Sequence, residues 1–207
     1  MSGSRQVGLR SGASVQQALA DGQIVAVPAL GSYALVALQG SPAAQRRFDV
    51  VAGGRRTELG PHLLVGQRDQ ARALAASWTE ELQRLVERCW PGPLTLLLRS
   101  AAPGTTTVRV SMLPRRPLRR LCRQSGPWLM APLPYTTPAQ VAAEFGAPDV
   151  ALIVDGGRCD GPDSTLVDGT VEPLRVCLEG ALPAAFIEAA LIMGTRRRRW
   201  FGISARQ

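Results

Sequence analysis

Short apolar runs, each closed by proline, glycine or a charged residue, recur along the chain and alternate with segments of helical periodicity. Gln23-Ile-Val-Ala-Val-Pro28, Leu94-Thr-Leu-Leu-Leu98 and residues 150–154 are the clearest of these runs. Runs this short, rich in β-branched and leucyl side chains, suit strands buried on both faces. Residues 62–65, 106–110, 128–131, 165–168 and 174–177 repeat the pattern. Helical spacing marks residues 14–20, 41–51, 69–89, 118–123, 139–145 and 183–193, with Ser41 a candidate N-cap and Pro42 at the first helical position. Several strands follow one another without an intervening helix. That order predicts an α/β fold with a single twisted mixed parallel and antiparallel sheet flanked by helices, rather than a purely parallel one. No linker divides it. The expected organisation is a flexible N-terminus over 1–12, one domain over 13–193 and a basic tail over 194–207.

At 207 residues the chain is long enough to bury its own core without disulfides or a structural metal. Composition then removes whole chemistries. All 24 basic residues are Arg, and there is no Lys and no Asn. A strongly GC-biased genome is the simplest source of that bias, but the consequence is chemical: no Walker A phosphate loop, Schiff base or lysine nucleophile is available. His62 is the one histidine, which excludes paired-His metal sites, and its place before a strand suits a structural role better than that of a base. Cys89, Cys122, Cys159 and Cys177 form no C-x-x-C pair and read as buried small hydrophobes in a reducing compartment. No apolar leader opens the sequence and no run approaches the ~18 apolar residues of a membrane span, so a cytoplasmic location is expected.

The formal charge of +8 is concentrated in two places. One holds Arg115, Arg116, Arg119, Arg120 and Arg123. The other holds Arg196, Arg197, Arg198 and Arg199, followed by Trp200 and Phe201. Guanidinium groups pair with phosphate oxygens and stack on bases, so both clusters are candidate RNA contacts. The competing readings are a solvated helix face for the first, and a plain solvated tail or an anionic membrane surface for the second.

A series of motifs comes in a telling order. Pro28 and Tyr33 follow the first long strand; Trp90-Pro-Gly-Pro-Leu-Thr95, Val108-Arg109-Val110, Gly126-Pro127, Asp155-Gly156-Gly157, Ser164-Thr-Leu-Val-Asp168 and Glu179-Gly-Ala181 succeed it. In this order and spacing, over roughly residues 13–183, the sequence resembles the Sua5/YciO/YrdC family. The resemblance implies a twisted α/β sheet with a concave basic cavity. It also implies synthesis of L-threonylcarbamoyl-adenylate from threonine, bicarbonate and ATP with Mg, the first step of threonylcarbamoyladenosine formation on tRNA. Binding of tRNA or double-stranded RNA is implied as well. In that chemistry a carbamate oxygen attacks the α-phosphorus, and cations offset the triphosphate charge.

Departures from the family pattern fall on the chemistry. Where the family has Pro-Thr-Glu/Asp-Thr-x-Tyr-Gly-Leu, this chain has Pro28-Ala-Leu-Gly-Ser-Tyr33-Ala-Leu35, without the Thr and the acid. The best match to the K-x-R motif is Val51-Ala-Gly53, with Arg55 and Arg56 nearby. The Ser-x-Asn motif is replaced by Pro132-Leu-Pro134, and the Arg before the final Glu-Gly is Leu178, with Arg175 three residues away. The remaining candidates for substrate or nucleotide binding are Tyr33, Arg55, Arg56, Arg109, Ser164, Thr165 and Arg175. Tyr33 suits a pocket wall, Arg109 an anion ligand or the partner of an acid such as Asp155, and Ser164 and Thr165 hydroxyl donors or a strand-start turn. No catalytic residue and no metal ligand is assigned. The sequence favours a member with degenerate catalytic motifs that binds RNA or a nucleotide. The alternatives are an active synthase using Arg55, Arg56 and Arg175 from displaced positions, and an unrelated enzyme on the same scaffold.

Overall fold

The computed structural model describes residues 4–53 and 59–192. Its strands are β1 (Arg5–Gly8), β2 (Val25–Pro28), β3 (Tyr33–Leu38), β4 (His62–Val65), β5 (Leu94–Arg99), β6 (Thr107–Met112), β7 (Trp128–Pro132), β8 (Leu152–Asp155), β9 (Thr165–Asp168) and β10 (Arg175–Leu178). They form one sheet in the order β1-β8-β2-β3-β7-β4-β6-β5-β9-β10. The pairs β1/β8, β2/β8, β4/β6 and β5/β9 are parallel, and the remaining neighbours are antiparallel. The expected mixed sheet is therefore present.

Helices α1 (Gly12–Ala20), α2 (Pro42–Ala52), α3 (Arg68–Leu74), α4 (Glu80–Cys89), α5 (Arg116–Ser125), α6 (Pro138–Glu144) and α7 (Ala184–Ile192) flank it. Strand alternation sorts β3 between two cores. Tyr33, Leu35 and Ala37 join a larger cluster with Phe48 of α2 and Leu82 and Leu85 of α4. Ala34 and Val36 join a second with Leu19 of α1 and Leu118 of α5. Both faces are thus covered, which explains why β2 and β3 are apolar at nearly every position.

Local chemistry accounts for most boundaries. The Ser41 side chain accepts from the Ala44 N–H, capping α2 as expected, and Thr137 closes a full capping box on α6. Three expectations fail. The helix expected over 69–89 is two helices, because the intervening backbone pairs with the end of β5: the Ala76 N–H donates to the Arg99 carbonyl and the Ala101 N–H to the Leu74 carbonyl. Thr79 then caps a new start by accepting from the Leu82 N–H. Residues 1–12 were expected to be flexible, yet Arg5–Gly8 extends the sheet by pairing with β8. Cys177 is exposed, unlike the three buried cysteines, because β10 is an edge strand.

Helix α5 lies against the end of β4 at Gly66, where an added Cβ would collide with backbone atoms of Arg119 and Arg123. The contact is reinforced by the Cys122 thiol donating to the Leu64 carbonyl at 3.3 Å. Gly66→Ala is therefore expected to cost about 1–3 kcal/mol in urea unfolding by overpacking; an unchanged midpoint would mean that α5 does not press on this strand.

Candidate functional site

Polar side chains are rare inside the sheet, and several of them stand on neighbouring strands. His62, Thr95, Arg109 and Ser111 are buried although they occupy strand positions in otherwise apolar runs. Cross-strand register explains their meeting: His62 faces Arg109, and Ser111 faces Thr95. Arg109 and Ser111 are two residues apart on β6 and share a face. The His62 Nε2 lies 2.8 Å from the Ser111 Oγ, the Ser111 Oγ 2.7 Å from the Thr95 Oγ1, and the Thr95 Oγ1 2.6 Å from the Ser164 Oγ. Three hydrogen bonds therefore run from β4 through β6 and β5 to the residue preceding β9. Ser164, at the far end, is half-buried.

Arg109 sits beside this row. One terminal nitrogen donates to the Gly60 carbonyl at 3.2 Å, while its Nε is buried with no partner. Among the described residues no carboxylate pairs with it, so the expected alternative of an Asp155 ion pair is not realised; the Asp155 carboxylate instead accepts from the Gly157 N–H. Burial pulls the Arg109 pKa below the usual guanidinium range. A guanidinium in this setting remains charged and lacks a counter-charge. The same burial, with the Arg109 charge adding to it, pushes the His62 pKa down to about 3. The imidazole is neutral at physiological pH.

The other sequence candidates separate. Tyr33 is fully buried, and its phenol donates to the Gly157 carbonyl at 2.9 Å and accepts from the Gly156 N–H at 3.1 Å, so it ties the loop after β8 to β3. The Thr165 hydroxyl donates to the Leu182 carbonyl and accepts from the Gly180 and Leu182 N–H groups. Both hydroxyls are engaged in hydrogen bonds to backbone groups within the protein. Arg175 lies in the same cross-strand row as Arg109, but it is separated from it by β9 and β5, roughly 14 Å at ordinary strand spacing, and its guanidinium lies 3.9 Å from the Asp168 carboxylate. Arg55 and Arg56 lie outside the described residues, as do Arg196, Arg197, Arg198 and Arg199.

The arginines around α5 also divide. Arg115 reaches the Cys159 Sγ at 3.4 Å, and its guanidinium carbon would lie 3.3 Å from a Cβ at Gly156, so it points at the loop after β8. Arg119 donates to the Leu113 and Pro114 carbonyls at 3.1 and 2.8 Å and holds the start of its own helix. Arg116, Arg120 and Arg123 are exposed at positions i, i+4 and i+7, which share one helix face. Pro132 ends β7, and Pro132 and Pro134 are both exposed. Neither carries a side-chain donor or an N–H. Thr95 and Ser111 escaped the sequence reading as site residues; the available signal was a hydroxyl residue placed two positions from Arg109, or inside a leucine run.

A cavity of ≈ 600 Å³ opens between α3 and α4, lined by Arg68, Arg72, Trp78, Trp90 and Met112 among others. Met112 projects opposite to its neighbour Ser111, so this cavity belongs to the other face of the sheet. Among the described residues no group of three or more His, Cys, Asp or Glu side chains is placed to hold a metal ion.

The family model described as telomere recombination, Sua5/YciO/YrdC, matches residues 17–180. The chain belongs to the Sua5/YciO/YrdC family. A threonylcarbamoyl-AMP synthase of Pyrococcus abyssi is 31% identical to it over 186 residues, which is 83% of this chain and 54% of that protein. The structure of P. abyssi Sua5 complexed with L-threonine superposes with a TM-score of 0.77 at 26% identity, covering 92% of this chain and 60% of that one. Escherichia coli YciO matches with a TM-score of 0.74 at 18% identity, covering 87% and 97%, and shares the fold. The chain thus spans little more than half the length of its Pyrococcus relative and nearly all of YciO.

The His62 shift has a measurable consequence. In the unfolded chain His62 binds a proton below pH ~6.5, whereas folded His62 does so only near pH 3. Its contribution to stability is therefore complete above pH 6.5 and is lost as pH falls toward 3. Between pH 6.5 and 4.5 the loss is expected to be about 2–3 kcal/mol in urea unfolding. His62→Gln should remove that slope; an equal slope in the variant would mean that His62 is not held neutral.

Proposed function

We propose that this protein is a threonylcarbamoyl-AMP synthase relative that binds an anionic group at Arg109 but does not carry adenylation through. It acts instead as an RNA- or nucleotide-binding protein, in the cytoplasm. The observation that carries the reading is the Arg109 guanidinium, buried without a carboxylate partner among the described residues. A threonine carboxylate or a nucleotide phosphate supplies the counter-charge. That a relative has been solved with L-threonine supports a small carboxylate as one occupant.

Loss of adenylation is supported by departures from the family pattern. Each preorganised donor removed from a developing anion typically costs about 2.7–4 kcal/mol of barrier. Pro132 and Pro134 remove a hydroxyl and an amide of the family pattern, and Leu178 removes a cation. Arg175 is a weak substitute because Asp168 already neutralises it. If ATP binds, its Mg is held chiefly by phosphate and water, since the described residues offer no carboxylate cage of their own. The RNA reading is supported by the exposed stripe of Arg116, Arg120 and Arg123, which matches a phosphate backbone in charge and linear spacing.

Two measurements test this. With threonine, bicarbonate, ATP and Mg, the full-length protein is expected to release no threonine-dependent pyrophosphate above the blank. Robust release would instead establish the displaced-arginine synthase. Affinity for tRNA should fall steeply with salt, and replacing Arg116, Arg120 and Arg123 together should flatten the slope of log K against log salt by roughly 2–3; a salt-independent affinity would remove the arginine–phosphate interface.

A further inference from the structure

We infer that the acidic cleft between the start of α4 and the β9–β10 turn is a docking site for this chain's own basic segment, residues 196–201. Thr79, Glu80, Glu81, Arg84, Glu172 and Pro173 line the cleft, whose volume is ≈ 410 Å³. It brings three carboxylates together with one guanidinium, on a chain whose formal charge is +8. Arg84 pairs with Glu80 at 3.6 Å. Among the described residues the carboxylates of Glu81 and Glu172 have neither a hydrogen bond nor an ion pair. Two negative charges are thus left to be offset from elsewhere.

The fold delivers the basic segment to this place. The Thr165 hydroxyl donates to the Leu182 carbonyl just before α7, and Thr165 faces Leu94, whose carbonyl accepts from the Trp90 indole at the end of α4. The start of α7 and the end of α4 therefore lie at one end of the sheet. Because the two helices pack on each other, α7 runs back toward the start of α4, where Glu80 and Glu81 stand. Ile192, at the end of α7, is 83% exposed, and Val171, beside Glu172, is 40% exposed. Fifteen residues follow Ile192, among them Arg196, Arg197, Arg198, Arg199, Trp200 and Phe201. Arg196 is four residues on, within roughly 13 Å of extended chain. Four guanidiniums complement the carboxylates, and two aromatic rings complement the exposed Val171 and Ile192. Single surface ion pairs are weak, but a segment tethered this closely meets the cleft at an effective concentration on the order of millimolar. An arginine paired with a glutamate is withheld from phosphate. RNA then reaches these four arginines only by displacing them from the cleft, whereas the α5 stripe stays open.

The absence of Lys makes the test specific. In full-length Arg197→Lys the new ε-amine and the N-terminus are the only primary amines, and a carbodiimide joins such an amine to a carboxylate in contact with it as an amide. Peptide mass spectrometry is expected to find that amide within one chain, at Glu81, Glu172 or Glu80. Its yield should fall several-fold when salt rises from about 0.05 to 0.5 M. Adding Glu81→Gln and Glu172→Gln should lower the coupling left at Glu80 several-fold as well. Coupling of the new amine chiefly to other carboxylates, or no coupling at all, overturns the inference. So does coupling to these glutamates only between two chains, which would assign the cleft to a second copy instead.

Discussion

A buried positive charge with no carboxylate partner among the described residues is what the rest of the site answers to. Arg109 lies in the middle of a sheet covered by apolar side chains on both faces, and its guanidinium is satisfied only in part, by the Gly60 carbonyl. Removing such a group from water is expensive, and proteins ordinarily offset the expense with a carboxylate. Here the neighbours are a neutral imidazole and a line of hydroxyls. An acid in their place would have quenched the charge; hydroxyls leave it available while satisfying one another. The fold makes this possible because β4, β5 and β6 are adjacent and in register, so that residues distant in sequence become neighbours on one face.

The mixed sheet was legible because short β-branched runs and capped helices follow local rules. Ser41 with Pro42 marked α2 correctly, since an N-cap is decided within four residues. Residues 69–89 misled because periodicity records which faces are buried, not whether the backbone is continuous. Leu74 and Trp78 keep helical spacing across a break imposed by pairing with the end of β5. β1 was invisible for a similar reason: four residues, three of them exposed, become a strand only when β8 offers an edge.

The site was harder to read than the fold. Arg109 and Ser164 were identifiable from their motifs, but the role of a hydroxyl depends on where its partners stand. Ser164 and Thr165 are adjacent in sequence and differ completely: one ends a row at a half-buried position, the other spends its donor and lone pairs on the loop before α7. Tyr33 resembles a pocket residue by motif yet serves as a loop anchor. Likewise the five arginines of 115–123 looked like one patch, and helix geometry divides them into Arg115 directed at the loop after β8, Arg119 bonded to carbonyls just before its helix, and an exposed stripe. Absence of Lys and Asn is partly compositional bias, but prolines at 132 and 134 are not an exchange that codon bias explains. They stand where the family pattern has polar donors.

The central claim is that an anion binds at Arg109. A crystal structure of the full-length protein soaked with inorganic pyrophosphate tests it most directly. The account predicts a phosphate oxygen within hydrogen-bond distance of the Arg109 guanidinium. Pyrophosphate found only along the exposed stripe of Arg116, Arg120 and Arg123, with none at Arg109, would contradict it.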